Sequence, residues 1–561
     1  MGNLESVAAG QLYTLLLNGT TERPDPASRC QPEGVHGASA IVSSTFPWTD
    51  QCWAGVPLRD YIIYELHVGT FTKDGTLDAI IPRLRELKDL GVTAVELMPI
   101  AQFPGRRWGY DGVFPCAVQN SYGGPEGLKR LVNAAHAEGL SVVLDIVYNH
   151  LGPEGNNLRD FGPYFTDRYK TPWGDALNFD GEHSDHVRRF FIENALYWQT
   201  EFHIDALRLE AVHAIHDKSA FPFLIELARA TRARSEELNR RFCLIGESDL
   251  NDARLIAPES LGGKGLDAQW SDDLHHCLHV LLTHERSGYY ADYGGGVRQL
   301  AKALDHGFAY TGEYSTYRKR KHGNSAHGTR PEQHVVCSQN HDQIGNRLVG
   351  ERLGQLTSYE GLKLAAATVL LSPFTPLLFM GEEWGEQPPF RYFISHSEPS
   401  LVEAVRQGRK AEFAAFGWQG EVPDPQAETA FTECIIDPSR CGERHLRLRE
   451  FYRELISLRK ETRHSATPLD YKHEVFCYES QQTIALLFRA PETSFLVLLC
   501  FSEDTVELSA LTNLRGSWRK RLDSAGEEWF GPGDSADTVW DGSSEIQMKP
   551  FSAVLYEWNT E

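Results

Sequence analysis

Two rhythms of apolar residues alternate through the middle of the chain. Tyr61 to Val68 is β-prone. Leu77, Ile80, Ile81, Leu84, Leu87 and Leu90 then recur at helical spacing behind Thr76, which can cap the helix, and Gly91 closes it. Val92 to Met98 reads as the next strand. A second helix runs through Leu128, Leu131, Val132 and Ala135 to Gly139 and enters the very apolar strand Leu140 to Leu144. Strand, helix, strand at this pace predicts right-handed βαβ units around a parallel sheet. The pattern continues with a helix carrying Val187, Phe190, Phe191, Ala195 and Trp198 on one face, a strand over Ile204 to Leu209, and a helix through Phe223, Leu224 and Leu227. Further strands follow at Phe242 to Ile245, Val335 to Cys337 and Thr375 to Met380. The expectation is a (β/α)8 TIM barrel over residues 58–459, closing at the last of these strands.

Three stretches fall outside the rhythm. Residues 151–183 are long, aperiodic and rich in Gly, Pro, Asp and Tyr, and loops of that length are uncommon unless functional. Residues 1–57 hold one weak strand, Gln11 to Leu17, followed by a Pro- and Gly-rich connector, and read as the partial end of an N-terminal β domain. Beyond residue 460, alternating segments at Thr483 to Phe488, Ser494 to Cys500 and Ser552 to Trp558 predict a C-terminal antiparallel β-sandwich domain.

Composition narrows the partners. Acidic residues outnumber basic ones 77 to 55, a formal net charge of -22, so nucleic acid would be repelled and a neutral substrate fits better. Neither an 18-residue apolar span nor a basic-then-apolar leader is visible, so no membrane partner is expected. The ten cysteines are scattered singly without CxxC pairs, which suits buried thiols in a cytoplasmic protein better than disulfides or zinc.

The chemistry collects at strand ends. Asp145, Glu210, Glu247 and Asp342 each follow an apolar strand and would reach one barrel mouth together with Arg208, His150 and His341. Burying so much like charge without a task would be costly. Two carboxylates flanking a glycosidic bond divide the work: one stays ionised and attacks the sugar carbon, the other holds a proton for the leaving oxygen. Arg208 would keep Glu210 charged, and the apolar Phe242, Leu244 and Ile245 before Glu247 make it the acid. Asp342 would press the sugar towards its transition state, and His150 and His341 would donate to its hydroxyls. Ring faces for stacking are offered by Trp108 and Tyr110, with Tyr122, Tyr164, Phe165 and Trp173 extending the surface. Trp270, Asp272, His275 and His276, read as a loop, would add further substrate contacts, as would His213 and Gln343. HxH and HExxH spacings are absent from these motifs, so neither metal nor cofactor is expected.

These residues lie in four blocks, Asp145 to His150 (DIVYNH), Asp205 to Glu210 (DALRLE), Ile245 to Glu247 (IGE) and Asn340 to Gln343 (NHDQ), whose order resembles the α-amylase family of glycoside hydrolases. Stretches such as YELHVGTFTKDGT, VELMPIAQFPG and FGPYFTDRYKTPWGDALNF are similar to the branch of that family acting on maltooligosyltrehalose. The resemblance implies a retaining hydrolase that cuts the α-1,4 bond beside a terminal trehalose unit. It also implies an N-terminal carbohydrate-binding-like β domain, of which residues 1–57 would be the remnant. One position departs from the family: its nucleophile is Asp, and the matching residue here is Glu210, longer by one C–C bond of ~1.5 Å. Two alternatives share the four blocks. One is an α-glucan debranching or branching enzyme, the other an oligosaccharide-binding protein that has lost turnover through Glu210.

Overall fold

The computed structural model describes residues 7–559 except 107–108, 172, 417–419, 465–471, 490–492, 509–513 and 515. Its centre is a closed barrel of eight parallel strands: β1 (Ile63–Leu66), β2 (Ala94–Leu97), β3 (Ser141–Ile146), β4 (Ala206–Leu209), β5 (Cys243–Gly246), β6 (Ala268–Trp270), β7 (His334–Cys337) and β8 (Thr375–Phe379). Each strand pairs with the next, and β8 pairs with β1 to close the ring.

Alternation within the strands explains the continuous apolar runs. One set of positions, including Ile63, Ala94, Val143, Ala206, Ile245, Ala268 and Val335, packs in the barrel lumen. The other set, including Tyr64, Val95, Leu144, Leu207 and Leu244, faces the helices outside. The predicted helices are present with small differences. Thr76 Oγ1 accepts from the Ala79 amide to start the first, Pro82 turns its middle into a 3-10 segment over Ile81–Arg83, and Gly91 ends it at φ 108°.

Several elements were not legible in the apolar pattern. β6 is only three residues long, so Trp270 belongs to a barrel strand rather than a loop. His275 and His276, expected in that loop, lie on the helix Asp272–Thr283. The aperiodic stretch 151–183 contains an antiparallel hairpin, Phe165–Thr171 with Gly174–Leu177, whose exposed positions hide its period.

Towards the C-terminus a six-stranded antiparallel sheet contains Thr483–Arg489, Thr493–Cys500 and Ser552–Asn559. Leu486, Val497, Leu499 and Leu555 on one face join the main core, while Leu487, Leu496, Leu498 and Val554 on the other pack with Trp518 and Trp540 in a second core. Near the start of the chain, Leu12–Tyr13 pairs with Ser39–Ala40, and Leu15–Leu17 pairs with Thr21–Arg23. The following segment is pinned to the base of the barrel. His136 sits buried between Asp50 (2.8 Å) and Asp205 (3.0 Å), Asp50 also meets His203 at 2.8 Å, and Trp53 donates to Asp205 at 2.7 Å. Among the described residues no helix is long and apolar enough to cross a membrane.

Candidate active site

The inward register of the strands places the first charges. Asp145 on β3 lies beside Arg208 on β4, one step above the lumen pair Val143 and Ala206. Arg208 Nη1 contacts both Asp145 oxygens, at 2.9 and 2.8 Å. Burial pushes Asp145 up, against Arg208, His341 and Tyr110; the double contact with a guanidinium is the geometry of an ionised carboxylate. The same Nη1 donates to Glu210, and Nη2 lies 3.7 Å from Glu247. The guanidinium rests over the Trp270 ring at 4.1 Å, an apolar platform that leaves its charge to the carboxylates. One cation therefore stands between the two expected catalytic acids.

The backbone around these acids is held on both sides. The Glu210 amide donates to Ile146 O at 3.0 Å, and its carbonyl accepts from Asn149 Nδ2 at 2.9 Å. Ala211 follows in the left-handed region at φ 41°, a strained conformation for a residue with a Cβ, worth about 1–2 kcal/mol. That turn aims the Ala211 amide at Glu247 Oε2, 2.5 Å away, and the Val212 amide at Glu247 O, 2.9 Å away. Strain at position 211 is thus tied to the placement of both carboxyls.

Burial raises the pKa of both. Glu247 is pushed up to about 7, with Asp272 and Asp342 adding to burial and Arg208 opposing. Glu210 is pushed further, up to about 8, by burial and then by Glu247, Asp145 and Asp342, again against Arg208, so the order of the two acids is read from their contacts. The direct Arg208 hydrogen bond belongs to Glu210, which favours its charged form and makes Glu247 the better placed of the two to hold a proton.

The remaining expected residues divide into two groups. Tyr110 donates to Asp145 at 2.5 Å, meets His341 Nε2 at 2.6 Å and stacks on the His341 ring. Asp342 is exposed at the mouth, bonded to Asn346 at 2.6 Å, and Gln343 accepts from Tyr289 at 3.1 Å. Asp272, pushed up to about 7 by burial and then by Asp342, Asp249 and Asp273, lies with Glu247 and Asp342 along a cleft of about 390 Å³. Tyr289, Tyr317, Arg318 and Arg347 line its far side.

His275 and His150 have both ring nitrogens engaged within the protein. His275 is buried with its ring nitrogens on Ser338 O (2.8 Å) and Tyr290 Oη (3.1 Å), and burial lowers it to about 3. His150 is engaged by Asn149 and by Tyr110 O at 3.1 Å, is lowered to about 4 by burial, and stacks on the exposed Trp173 at 3.6 Å. His213 is exposed and faces Asp249, which lines the cleft beside Glu247, at 3.7 Å. Trp108 lies outside the described residues. Among the described residues no group of His, Cys, Asp or Glu is arranged to hold a metal ion.

Two acids at this site escaped the sequence reading. Glu65 on β1 and Glu96 on β2 are cross-strand partners, both fully buried. They sit inside strands rather than at their ends, and only the alternation from Ile63 and Ala94 signals that they point into the lumen.

The chain is similar to known proteins in sequence and in fold. An α-amylase catalytic-domain family model matches residues 49–172. The malto-oligosyltrehalose trehalohydrolase of Saccharolobus solfataricus is 48% identical over 459 residues, 82% of this chain and 79% of that protein. The one from Arthrobacter ramosus is 49% identical over 456 residues, 80% of this chain and 79% of that protein. A crystal structure from Salmonella typhimurium described as an α-amylase has a TM-score of 0.87 at 37% identity, covering 98% of this chain and 91% of that one.

Proposed function

The chain belongs to the malto-oligosyltrehalose trehalohydrolase family of α-amylase-type glycosidases, and from that membership and the site we infer that it hydrolyses maltooligosyltrehalose to trehalose and a shorter maltooligosaccharide. Glu210 attacks the anomeric carbon of the sugar on the non-reducing side, and a glycosyl ester forms as the bond to the trehalose O4 breaks. Glu247 gives its proton to that oxygen, trehalose leaves, and Glu247 then takes a proton from the water that hydrolyses the ester. Arg208, bonded to Glu210 and 3.7 Å from Glu247, is the observation that supports this division most directly.

The cleft beside Glu247 suits the leaving group, because the acid stands on the aglycone side of the bond. Its tyrosines and arginines offer a disaccharide both ring faces and hydroxyl partners. Tyr110, His341 and the Trp173 face on His150 suit the glucan arm. We assign residues 58–459 to the catalytic unit and 460–561 to an accessory β domain, a division supported by where the barrel helices give way to antiparallel strands. We place the protein in the cytoplasm, since all ten cysteines are unpaired thiols, as a reducing compartment would keep them.

Incubation with maltotriosyltrehalose should release trehalose and maltotriose, with no debranching of a branched glucan. Chain branching or debranching without trehalose release would overturn the reading.

A further inference from the structure

We propose that Glu65 is a positioning residue that locks His341 as an imidazolium, giving the sugar-binding site a second fixed cation beside Arg208. The argument is a count of protons along one hydrogen-bonded chain. His341 Nδ1 meets Glu65 Oε1, and the His341 amide donates to Glu65 Oε2 at 3.0 Å, so Oε2 accepts and one proton lies between Oε1 and Nδ1. That proton belongs on Nδ1, the more basic of the two atoms. At the other end Nε2 lies 2.6 Å from Tyr110 Oη, while the single Tyr110 proton is directed to Asp145 Oδ2 at 2.5 Å. Asp145, with both oxygens against the Arg208 guanidinium, is placed as an ionised acceptor and not as the donor to Tyr110. Nε2 is left as the donor to Tyr110, and a ring that donates from both nitrogens is positively charged.

The surroundings agree. Burial opposes a charge on His341, and Glu65 overcomes it, so that the ring is raised above its ordinary value; Asp342 adds to this and Arg208 works against it. Trp270 faces the ring at 6.0 Å and brings no charge. Glu96, the cross-strand neighbour of Glu65, has no hydrogen-bond partner on either oxygen; burial, then Glu65 and Asp145, hold it well above the usual carboxylate range. Of the two lumen glutamates, then, only Glu65 is available to balance His341. In the hydrolase mechanism this cation would hold Asp145 and Tyr110 in register under the distorted sugar, and only this part rests on the proposed function.

The test reads His341 directly. In protein labelled with ¹⁵N-histidine, the His341 nitrogens of the wild type should remain those of a doubly protonated ring well above the usual imidazole value of ~6.5. In Glu65→Gln they should titrate at or below that value. Tyr110→Phe, which keeps the Glu65 contact, should leave the ring protonated. In the product assay Glu65→Gln should lose ~10–100-fold in kcat, the range typical of partners that fix a functional ring, with the loss growing as pH rises. An unprotonated His341 nitrogen in the wild type near neutral pH would overturn the proposal, as would an unchanged pH profile in a folded Glu65→Gln. If that variant does not fold, the wild-type and Tyr110→Phe spectra still decide. If trehalose release fails while the ring stays charged, it is the functional reading that falls.

Discussion

Replacing Glu210 with aspartate should make the enzyme faster. The peptide at position 210 cannot retreat to accommodate a longer side chain. Its amide is bonded to Ile146 O at 3.0 Å, its carbonyl to Asn149 at 2.9 Å, and the next amide to Glu247 at 2.5 Å. The extra methylene must therefore be absorbed by the side chain, which reaches Arg208 by placing its carboxylate up to ~1.5 Å beyond where an aspartate would put it. Retaining glycosidases hold their two carboxyls about 5–5.5 Å apart, and a misplacement near ~1 Å costs about a hundredfold. A gain of about ten- to a hundredfold in kcat is therefore expected for Glu210→Asp, or about 1.4–2.7 kcal/mol in the barrier. KM should change little, because Arg208 and Asp145 keep their contacts. The assay is steady-state release of trehalose from maltotriosyltrehalose, with Glu210→Gln as the inactive reference. If Glu210→Asp falls below the wild type, the slot is fitted to glutamate and the reasoning is wrong.

Four other outcomes are expected. Glu247 must be protonated to act and is pushed up to about 7, so kcat/KM should decline as pH rises through that value; a decline already complete near pH ~4.5, the ordinary carboxyl range, would exclude Glu247 as the acid. Glu247→Gln should lose ~10²–10⁴ in kcat on glucans yet form the glycosyl ester from an α-glycosyl fluoride at close to the wild-type rate, since fluoride leaves without a proton. Asp50→Asn should cost about 3–5 kcal/mol, because it removes one partner of a buried ion pair. Asp50 and Asp205 raise His136 against the opposing effect of burial, so its contribution is complete below the unfolded value of ~6.5 and is lost as pH rises through the raised one. Urea midpoints of the two proteins should accordingly converge on the alkaline side. Tyr289→Ala should raise KM about three- to tenfold with little change in kcat if the tyrosine stacks on the leaving disaccharide, worth about 0.5–1.5 kcal/mol, and a fall confined to kcat would count against that role.

What the sequence displays of this site follows from where the acids stand. Glu210 and Glu247 are visible because each follows an apolar run at its end, and Asp145 because the unbroken Val142, Val143 and Leu144 lead into it. Glu65 and Glu96 are no less buried, but they lie inside YEL and VEL, where a single acid looks like an irregularity in a strand. β6 escapes notice because three residues, Ala268–Trp270, show no period, and its tryptophan resembles a ligand platform until Arg208 is found resting on it. The His275 pair looks available for substrate in sequence, because the partners that consume its nitrogens, Ser338 and Tyr290, are 63 and 15 residues away. Local pattern reveals elements; which polar groups are already satisfied is a tertiary property.

The arrangement also explains how a neutral substrate meets so acidic a site. Glu65, Asp145 and Glu210 are hydrogen-bonded to two cations, Arg208 and His341, leaving one negative charge among them. Glu96, lifted by burial well above the usual carboxylate range, adds none near neutral pH, and Glu247, pushed up to about 7, adds only part of one. The uncompensated charge has its exit at Glu210, the member of the three that reaches the mouth, with 22% of its side chain exposed against none for Glu65 and Asp145. An oxocarbenium-like sugar forming over that carboxylate would therefore neutralise the cluster, whereas the bound ground state leaves it charged. Stabilisation that grows only as positive charge develops on the sugar is the kind that raises kcat, and it requires the lumen glutamates and their cations to be settled before substrate arrives.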